Sequence, residues 1–226
     1  MFFISLIQGL PIYGQAFFIY NRTGFSDRIA FLTTMMRTLG FITQFMAHPV
    51  RTGAIAPSSN KLADVISESA RLEDASVIIE WGPGTGVFTE KILQKKRPDA
   101  IFFAVEMNEV FATVTQARCP DARIYQDSAV NTRAYLEQLG HSHCDAVVCG
   151  LPWASFEESL QDELLDTVLT ILRPGGRFLT FAYLQGLLLP AGLRFRRKLK
   201  SRFRQVTTTR TVWRNVPPAF VYVCER

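Results

Sequence analysis

Cysteine and histidine are scarce in this chain, and the few present do not cluster. The four cysteines (Cys119, Cys144, Cys149 and Cys224) form no C-x-x-C pair, and the three histidines (His48, His141 and His143) have no metal-ligand spacing. Neither a disulfide framework nor a metal centre is expected, and a reducing compartment suits the composition. Internal repeats and low-complexity tracts are absent as well, while 48% of the 226 residues are hydrophobic. Extensive disorder is therefore excluded. The length serves one globular domain, large enough to bury a core without covalent staples.

Charge is missing altogether from residues 1–20, MFFISLIQGLPIYGQAFFIY. Pro11, Gly9 and Gly14 interrupt this run, so it is a poor spanning helix. It also lacks the basic start and the A-x-A-like site of a secretory leader. Two readings remain: a segment lying in a membrane interface, or an apolar arm docked on the domain. Ile29, Leu32, Met36, Leu39, Ile42, Phe45 and Met46 then recur at helical spacing and form one apolar stripe. His48-Pro49 ends that stripe, because a residue before proline avoids the helical region. Residues 1–48 are thus expected to form an apolar and amphipathic arm, and residues 49–226 the main domain.

The two signs of charge are unevenly placed. Residues 194–226 hold ten Lys/Arg against one Glu, whereas the 193 residues before them hold fifteen cations and nineteen anions. A mildly acidic body with a basic tail suits an anionic partner surface, membrane or nucleic acid; the alternative is a solvated face.

From Ser58-Ser59, a candidate helix cap, to Tyr183 the pattern alternates between strand and helix. Strands are expected at Val77–Glu80, Ile101–Glu106, Ala122–Tyr125, Cys144–Cys149 and Arg177–Tyr183. Helices are expected at Val87–Gln94, Val110–Arg118, Thr132–Leu139 and Glu157–Leu172, the last stopped by Pro174-Gly175-Gly176. Such alternation predicts an α/β fold with a mostly parallel sheet covered on both faces. Gln205–Val212 and Ala219–Cys224 read as two final strands forming an antiparallel C-terminal edge.

The strongest chemical signal is Glu80-Trp81-Gly82-Pro83-Gly84-Thr85-Gly86, placed between a buried strand and a helix. Glycines there permit a tight turn and let a ligand lie against bare main chain. Glu106 ends the next strand, 20 residues beyond Gly86, where a carboxylate can accept both hydrogen bonds of a ribose diol. A nicotinamide-dinucleotide enzyme is the competing reading of the glycine turn.

This combination resembles the class I S-adenosylmethionine-dependent methyltransferases over residues Ala75 to Tyr183. The resemblance implies a Rossmann-like fold, S-adenosyl-L-methionine as cofactor, S-adenosyl-L-homocysteine as product, and no metal. It implies that Glu80, Gly82, Pro83, Gly84, Thr85 and Gly86 wrap the methionine part of the cofactor. Glu106, followed by Met107, would hold the ribose, and Asp127-Ser128 would meet the adenine.

Gly150-Leu151-Pro152-Trp153 ends the fourth strand beside the expected methyl. Enzymes that methylate the adenine amino group carry Asn or Asp at the position of Gly150, followed by Pro-Pro-Tyr/Phe. The chain otherwise looks like the ribosomal RNA adenine dimethylases, but it lacks that acceptor. Three stretches instead resemble the bacterial phospholipid N-methyltransferases: Phe45–Ala63, Gly150-Leu151-Pro152, and Val212–Val221. That resemblance implies a membrane-associated enzyme acting on phosphatidylethanolamine; the alternatives are an RNA adenine N6-dimethyltransferase using the basic tail on phosphate, or an ornithine-lipid N-methyltransferase. It also implies a cytoplasmic location, peripheral on the inner face of the cell membrane. The partner would be an anionic membrane surface and its phospholipid, with no stable nucleic-acid partner. His48, Gly150, Leu151, Pro152 and Trp153 are the candidate catalytic residues. Tyr183 and Tyr20 are further candidates, with Trp153, for contact with a quaternary ammonium through ring faces.

Overall fold

A computed structural model describes residues 58–226. The expected N-terminal arm lies outside the described residues, and His48 and Tyr20 with it. Ser59 caps the first described helix, α1 (Asn60–Ser69), by accepting a hydrogen bond from the Leu62 N–H at 3.2 Å. Alternating units follow: β1 (Val77–Trp81), α2 (Val87–Lys95), β2 (Ile101–Val105), α3 (Glu109–Arg118), β3 (Ile124–Tyr125) and α4 (Thr132–Gln138). Next come β4 (Cys144–Cys149), α5 (Glu158–Ile171), β5 (Leu172–Tyr183), α6 (Pro190–Arg202), β6 (Gln205–Thr208) and β7 (Ala219–Glu225).

The strands form one seven-stranded sheet in the order β3-β2-β1-β4-β5-β7-β6. β1 to β5 are parallel neighbours. The expected antiparallel ending is present, with a refinement: β7 is the reversed strand and lies between β5 and β6. This order differs from the 3-2-1-4-5-6 arrangement of dinucleotide-binding sheets.

Several boundaries differ from the sequence expectation: β3 is only Ile124–Tyr125, β6 ends at Thr208, and the start of β5 differs most. Pro174-Gly175-Gly176 does not stop α5, which already ends at Ile171 as the chain turns directly into β5. Leu172 pairs with Cys144 and Arg177 with Ala146, so the Pro-Gly-Gly segment is a bulge inside the strand. Gly175, in the left-handed region at φ 74°, makes the bulge possible. Its N–H donates to the Arg226 carbonyl at 2.9 Å. Pairing with the end of the chain outweighs the breaker residues.

All five residues of β1 are buried, as a central parallel strand demands. Val77, Ile79 and Trp81 point to a core shared with Leu164, Leu165 and Val168 of α5 and with Phe195 and Leu199 of α6. Ile78 points to the opposite core, with Leu62 and Ile66 of α1 and Phe88 and Ile92 of α2. Glu80 sits between Ile79 and Trp81, so period-two alternation sends its carboxylate to the α2 side.

Part of the basic tail is paired within the domain. Arg194 pairs with Glu158, Lys198 with Glu158 and Asp162, and Arg202 with Asp162 and Asp166, which lashes α6 to α5. Arg204 pairs with Glu225. Among the described residues this leaves Arg196, Arg197, Lys200, Arg210, Arg214 and Arg226 of the tail without an ion pair.

Asn215 ties the loop before β7 to the start of α1. It is buried, its side-chain oxygen accepts from the Ser59 N–H at 2.9 Å, and its amide donates to the Pro217 carbonyl at 2.7 Å. Replacing it leaves both main-chain groups unpaired, at about 1–3 kcal/mol for a buried orphan. Asn215→Ala should therefore lower unfolding stability by that amount in urea titrations.

Candidate active site

The tips of β1, β2, β3 and β4 meet at one edge of the sheet, and hydrogen bonds weld their turns together. The Gly82 N–H donates to the Val105 carbonyl at 2.9 Å and the Gly150 N–H to the Trp81 carbonyl at 2.7 Å. Gly82, Gly84 and Gly86 all adopt positive φ, at 66°, 60° and 78°, a conformation that costs an ordinary residue on the order of 1–2 kcal/mol. Gly86 then serves as N-cap of α2. The carbonyl of Gly84 accepts from the Thr115 hydroxyl at 2.8 Å, while Arg118 bonds the Thr85 carbonyl at 3.4 Å and pairs with Glu90 at 2.7 Å. Helix α3 therefore holds the outer side of the turn.

Gly150 meets the same turn from the other side. A Cβ at Gly150 would collide with the Gly82 carbonyl oxygen, and one at Gly82 would stand 2.7 Å from the Leu151 side chain. Two bare main chains are in contact, so the acceptor side chain of adenine-directed enzymes has no room at this position. Leu151 packs on the turn, and Pro152 leads into a short 3-10 turn that begins at Trp153.

Trp153 lies in the core. Its indole N–H donates to the Thr180 hydroxyl at 3.0 Å, and its ring stacks on Phe195 of α6 with centroids 4.7 Å apart. In this position it anchors the β4 tip to α6 and presents no open ring face. Tyr183 ends β5 beside Phe181, and burial pushes its hydroxyl pKa up.

Two carboxylates line the turn. Glu106 accepts from the Gly84 N–H at 3.2 Å through one oxygen and from the Asn108 N–H at 3.0 Å through the other. Each oxygen keeps a lone pair for a further donor. Burial raises its pKa, against the pull of those main-chain donors. Met107, beside it, is exposed.

Glu80 is fully buried and accepts only from the Thr89 hydroxyl, at 2.7 Å. Its Oε1 and the neighbouring Trp81 Nε1 are buried polar atoms without a hydrogen-bond partner. Burial raises the Glu80 pKa to about 8, and Glu106 adds to the shift. Two desolvated acids close together favour a cation between or beside them.

The third strand supplies Asp127. Its N–H donates to the Glu106 carbonyl at 3.2 Å, which places the two acids on adjacent turns. One carboxylate oxygen accepts from the Ser128 N–H at 2.6 Å and the Asn131 amide at 2.9 Å, the other from the Tyr135 hydroxyl at 2.7 Å. The Tyr135 bond, then those from Asn131 and Ser128, hold its pKa low. One lone pair stays open for an outside donor. Ser128 caps the short turn that follows.

The structure thus brings together Glu80, Gly82, Pro83, Gly84, Thr85, Gly86, Glu106, Asp127, Ser128, Gly150, Leu151 and Pro152 at one edge. Sequence reasoning missed the supports Asn108, Thr115, Arg118 and Tyr135. Asn108 was detectable as an N-cap, since it precedes Glu109 and accepts from the Val110 and Phe111 N–H groups. Tyr135 was not, because its approach to Asp127 depends on the fold of the turn between them. Among the described residues, no group of His, Cys, Asp or Glu is placed to hold a metal ion.

No protein-family model matches the chain. In sequence it is 29% identical, over 187 residues, to the ornithine lipid N-methyltransferase of Singulisphaera acidiphila, covering 81% of this chain and 93% of that protein. In structure it is similar to an O-methyltransferase from Bacillus cereus solved with S-adenosylhomocysteine, at TM-score 0.59 and 12% identity, covering 84% of this chain and 90% of that one. The O-methyltransferase TomG of Streptomyces achromogenes, solved with S-adenosylmethionine, gives TM-score 0.58 at 17% identity, with the same coverage of 84% and 90%. The fold is that of the class I S-adenosylmethionine-dependent methyltransferases, and the chain resembles the lipid N-methyltransferases.

The Glu80 carboxyl yields a test of this edge. Its pKa rises from an ordinary 4.5 to about 8 on folding. Between these values the folded chain keeps a proton that the unfolded chain has released, so stability falls as pH rises through that window. Glu80→Gln keeps the acceptor for Thr89 and removes the titration. Without cofactor, the urea midpoint of the variant should gain on the wild type progressively from pH 4.5 to above 8. Parallel pH curves would refute the raised pKa.

Proposed function

We propose that this protein is a lipid N-methyltransferase, moving methyl groups from S-adenosylmethionine to the amine of a membrane-lipid headgroup. The observation that carries this reading is the sequence match to a lipid-methylating enzyme over nearly its whole length. The chemistry of the edge supports it. The open acceptor sites of Glu106 suit a ribose diol, and the remaining lone pair of Asp127 suits an adenine amino group. The unpartnered, desolvated Glu80 suits a cationic ammonium or sulfonium nearby. When bound, the cofactor supplies an electrophilic methyl on a sulfonium.

The tip at Gly150 bears on the acceptor. An exocyclic adenine amine shares its lone pair with the ring and needs a side-chain acceptor to make it nucleophilic. An aliphatic amine holds a localised lone pair once its proton is gone, so bare main chain at Gly150 suffices. Carbonyls of Gly150 to Pro152 orient such an amine, and rate comes from positioning and exclusion of water. His48 is our candidate to take the proton. We assign residues 1–48 to an arm that brings the domain to the membrane, and the domain itself to 49–226. Phosphatidylethanolamine and ornithine lipid share the required amine, and the similarity to an ornithine-lipid enzyme makes the latter at least as good a substrate.

The test offers methyl-labelled cofactor with phosphatidylethanolamine, ornithine lipid or ribosomal RNA in separate reactions. Label is expected in lipid, and label in RNA alone would overturn the reading. Calorimetry adds a site-specific check: Glu106→Gln cannot accept from both Gly84 and Asn108, and should bind S-adenosylmethionine about tenfold or more weakly, the scale of a lost charged hydrogen bond.

A further inference from the structure

Exposed large hydrophobic side chains are not scattered over the described residues. Met107 follows β2, Leu188, Leu189 and Leu193 follow β5, and Trp213 and Val216 precede the reversed β7. Every one of these positions is at the same edge of the sheet, the edge that carries the glycine turn and Gly150. Trp213 is 70% exposed, Val216 77% and Leu188 84%. The loops that present them are joined, since the Leu184 N–H donates to the Pro218 carbonyl at 2.9 Å.

The charge of the two loops that follow β5 and precede β7 has one sign, unlike the Met107 loop with Glu106 and Glu109. Residues 184–197 and 209–218 contain five arginines and no acid. Arg194 pairs with Glu158. Arg196, Arg197, Arg210 and Arg214 are exposed and make no ion pair among the described residues. Lys61, Asp64 and Glu68 of α1 face the Arg210–Arg214 strip across a shallow groove. The two acids there are already paired, Asp64 with Lys91 at 3.0 Å and Glu68 with Lys95 at 3.2 Å. An indole flanked by arginines at the rim of a site is the arrangement that suits a membrane interface, with the ring at headgroup depth and cations toward anionic lipid.

We infer that this edge docks on an anionic bilayer surface, with Trp213 entering the interface and Arg210 and Arg214 contacting lipid headgroups. The cofactor turn then faces the bilayer directly, and a headgroup amine has only to rise from its own leaflet to reach Gly150. This inference rests on the lipid-substrate reading, but its test does not use methylation.

The chain has three tryptophans. Trp81 and Trp153 are buried, so Trp213 alone reports on the surface. The full-length protein is titrated with vesicles of phosphatidylglycerol and brominated phosphatidylcholine while tryptophan emission is followed. A blue shift and bromine quenching are expected, and Trp213→Phe should abolish both while binding S-adenosylmethionine as the wild type does. Arg210→Gln with Arg214→Gln should weaken vesicle affinity about 30-fold, from the contribution of two cations. Four results would overturn the docking mode. The protein is carried by vesicles with Trp213 emission unchanged, or it stays in solution; the paired arginine variant binds as tightly as wild type; or Trp213 is already blue-shifted without vesicles, covered by residues 1–57 or by a second copy. Methylation of lipid dispersed in detergent micelles, where no bilayer has to be found, tests the substrate reading separately.

Discussion

The edge of this molecule is organised by a contact between two stretches of main chain that carry no side chains. Gly150 closes on the Gly82 carbonyl at the tips of neighbouring parallel strands, and Leu151 fills the space beside Gly82. Parallel strands are spaced by their ladder, so the tips of β1 and β4 approach closely only where both lack a Cβ. That approach fixes the glycine turn against β4, and the turn in turn receives the Thr115 hydroxyl and presents the Gly84 N–H to Glu106. Positions of carboxylate, turn and β4 tip are therefore interdependent, and a change at Gly150 would be felt at Glu106.

Two opposite electrostatic environments sit within this edge. Asp127 accepts from a hydroxyl, an amide and a main-chain N–H, which hold its pKa low and leave one lone pair open. Glu80 has one neutral donor and no solvent, and burial holds its proton. The difference is first one of burial, which desolvates Glu80, and then of hydrogen-bond supply, which favours the Asp127 anion.

Much of the fold was legible in the sequence because short strands and helices alternate with clear apolar runs. The Val77–Trp81 run, the Glu80-to-Gly86 turn and the Cys144–Cys149 strand all stand where pattern places them. The Pro174-Gly175-Gly176 segment misled, because its effect depends on a partner strand from the far end of the chain. The pairing of part of the basic stretch was not legible, because its partners Glu158, Asp162 and Asp166 lie far away in sequence. Gly150 was visible as a departure from an acceptor residue, but the collision that explains it needed coordinates. Trp153 was legible as an aromatic beside the site, and only the position of Phe195 places its ring in the core.

The reversal of β7 has a consequence beyond topology. A parallel final strand would require a crossover, and its leading loop would emerge at the opposite end of the sheet. Reversed, β6 and β7 become a hairpin whose apex belongs to the working end. An apex can be lengthened, shortened or exchanged without altering the register of the strands beneath it. This architecture therefore leaves a surface apex, carrying Arg210, Trp213 and Arg214, that can change while the strands beneath it keep their pairing.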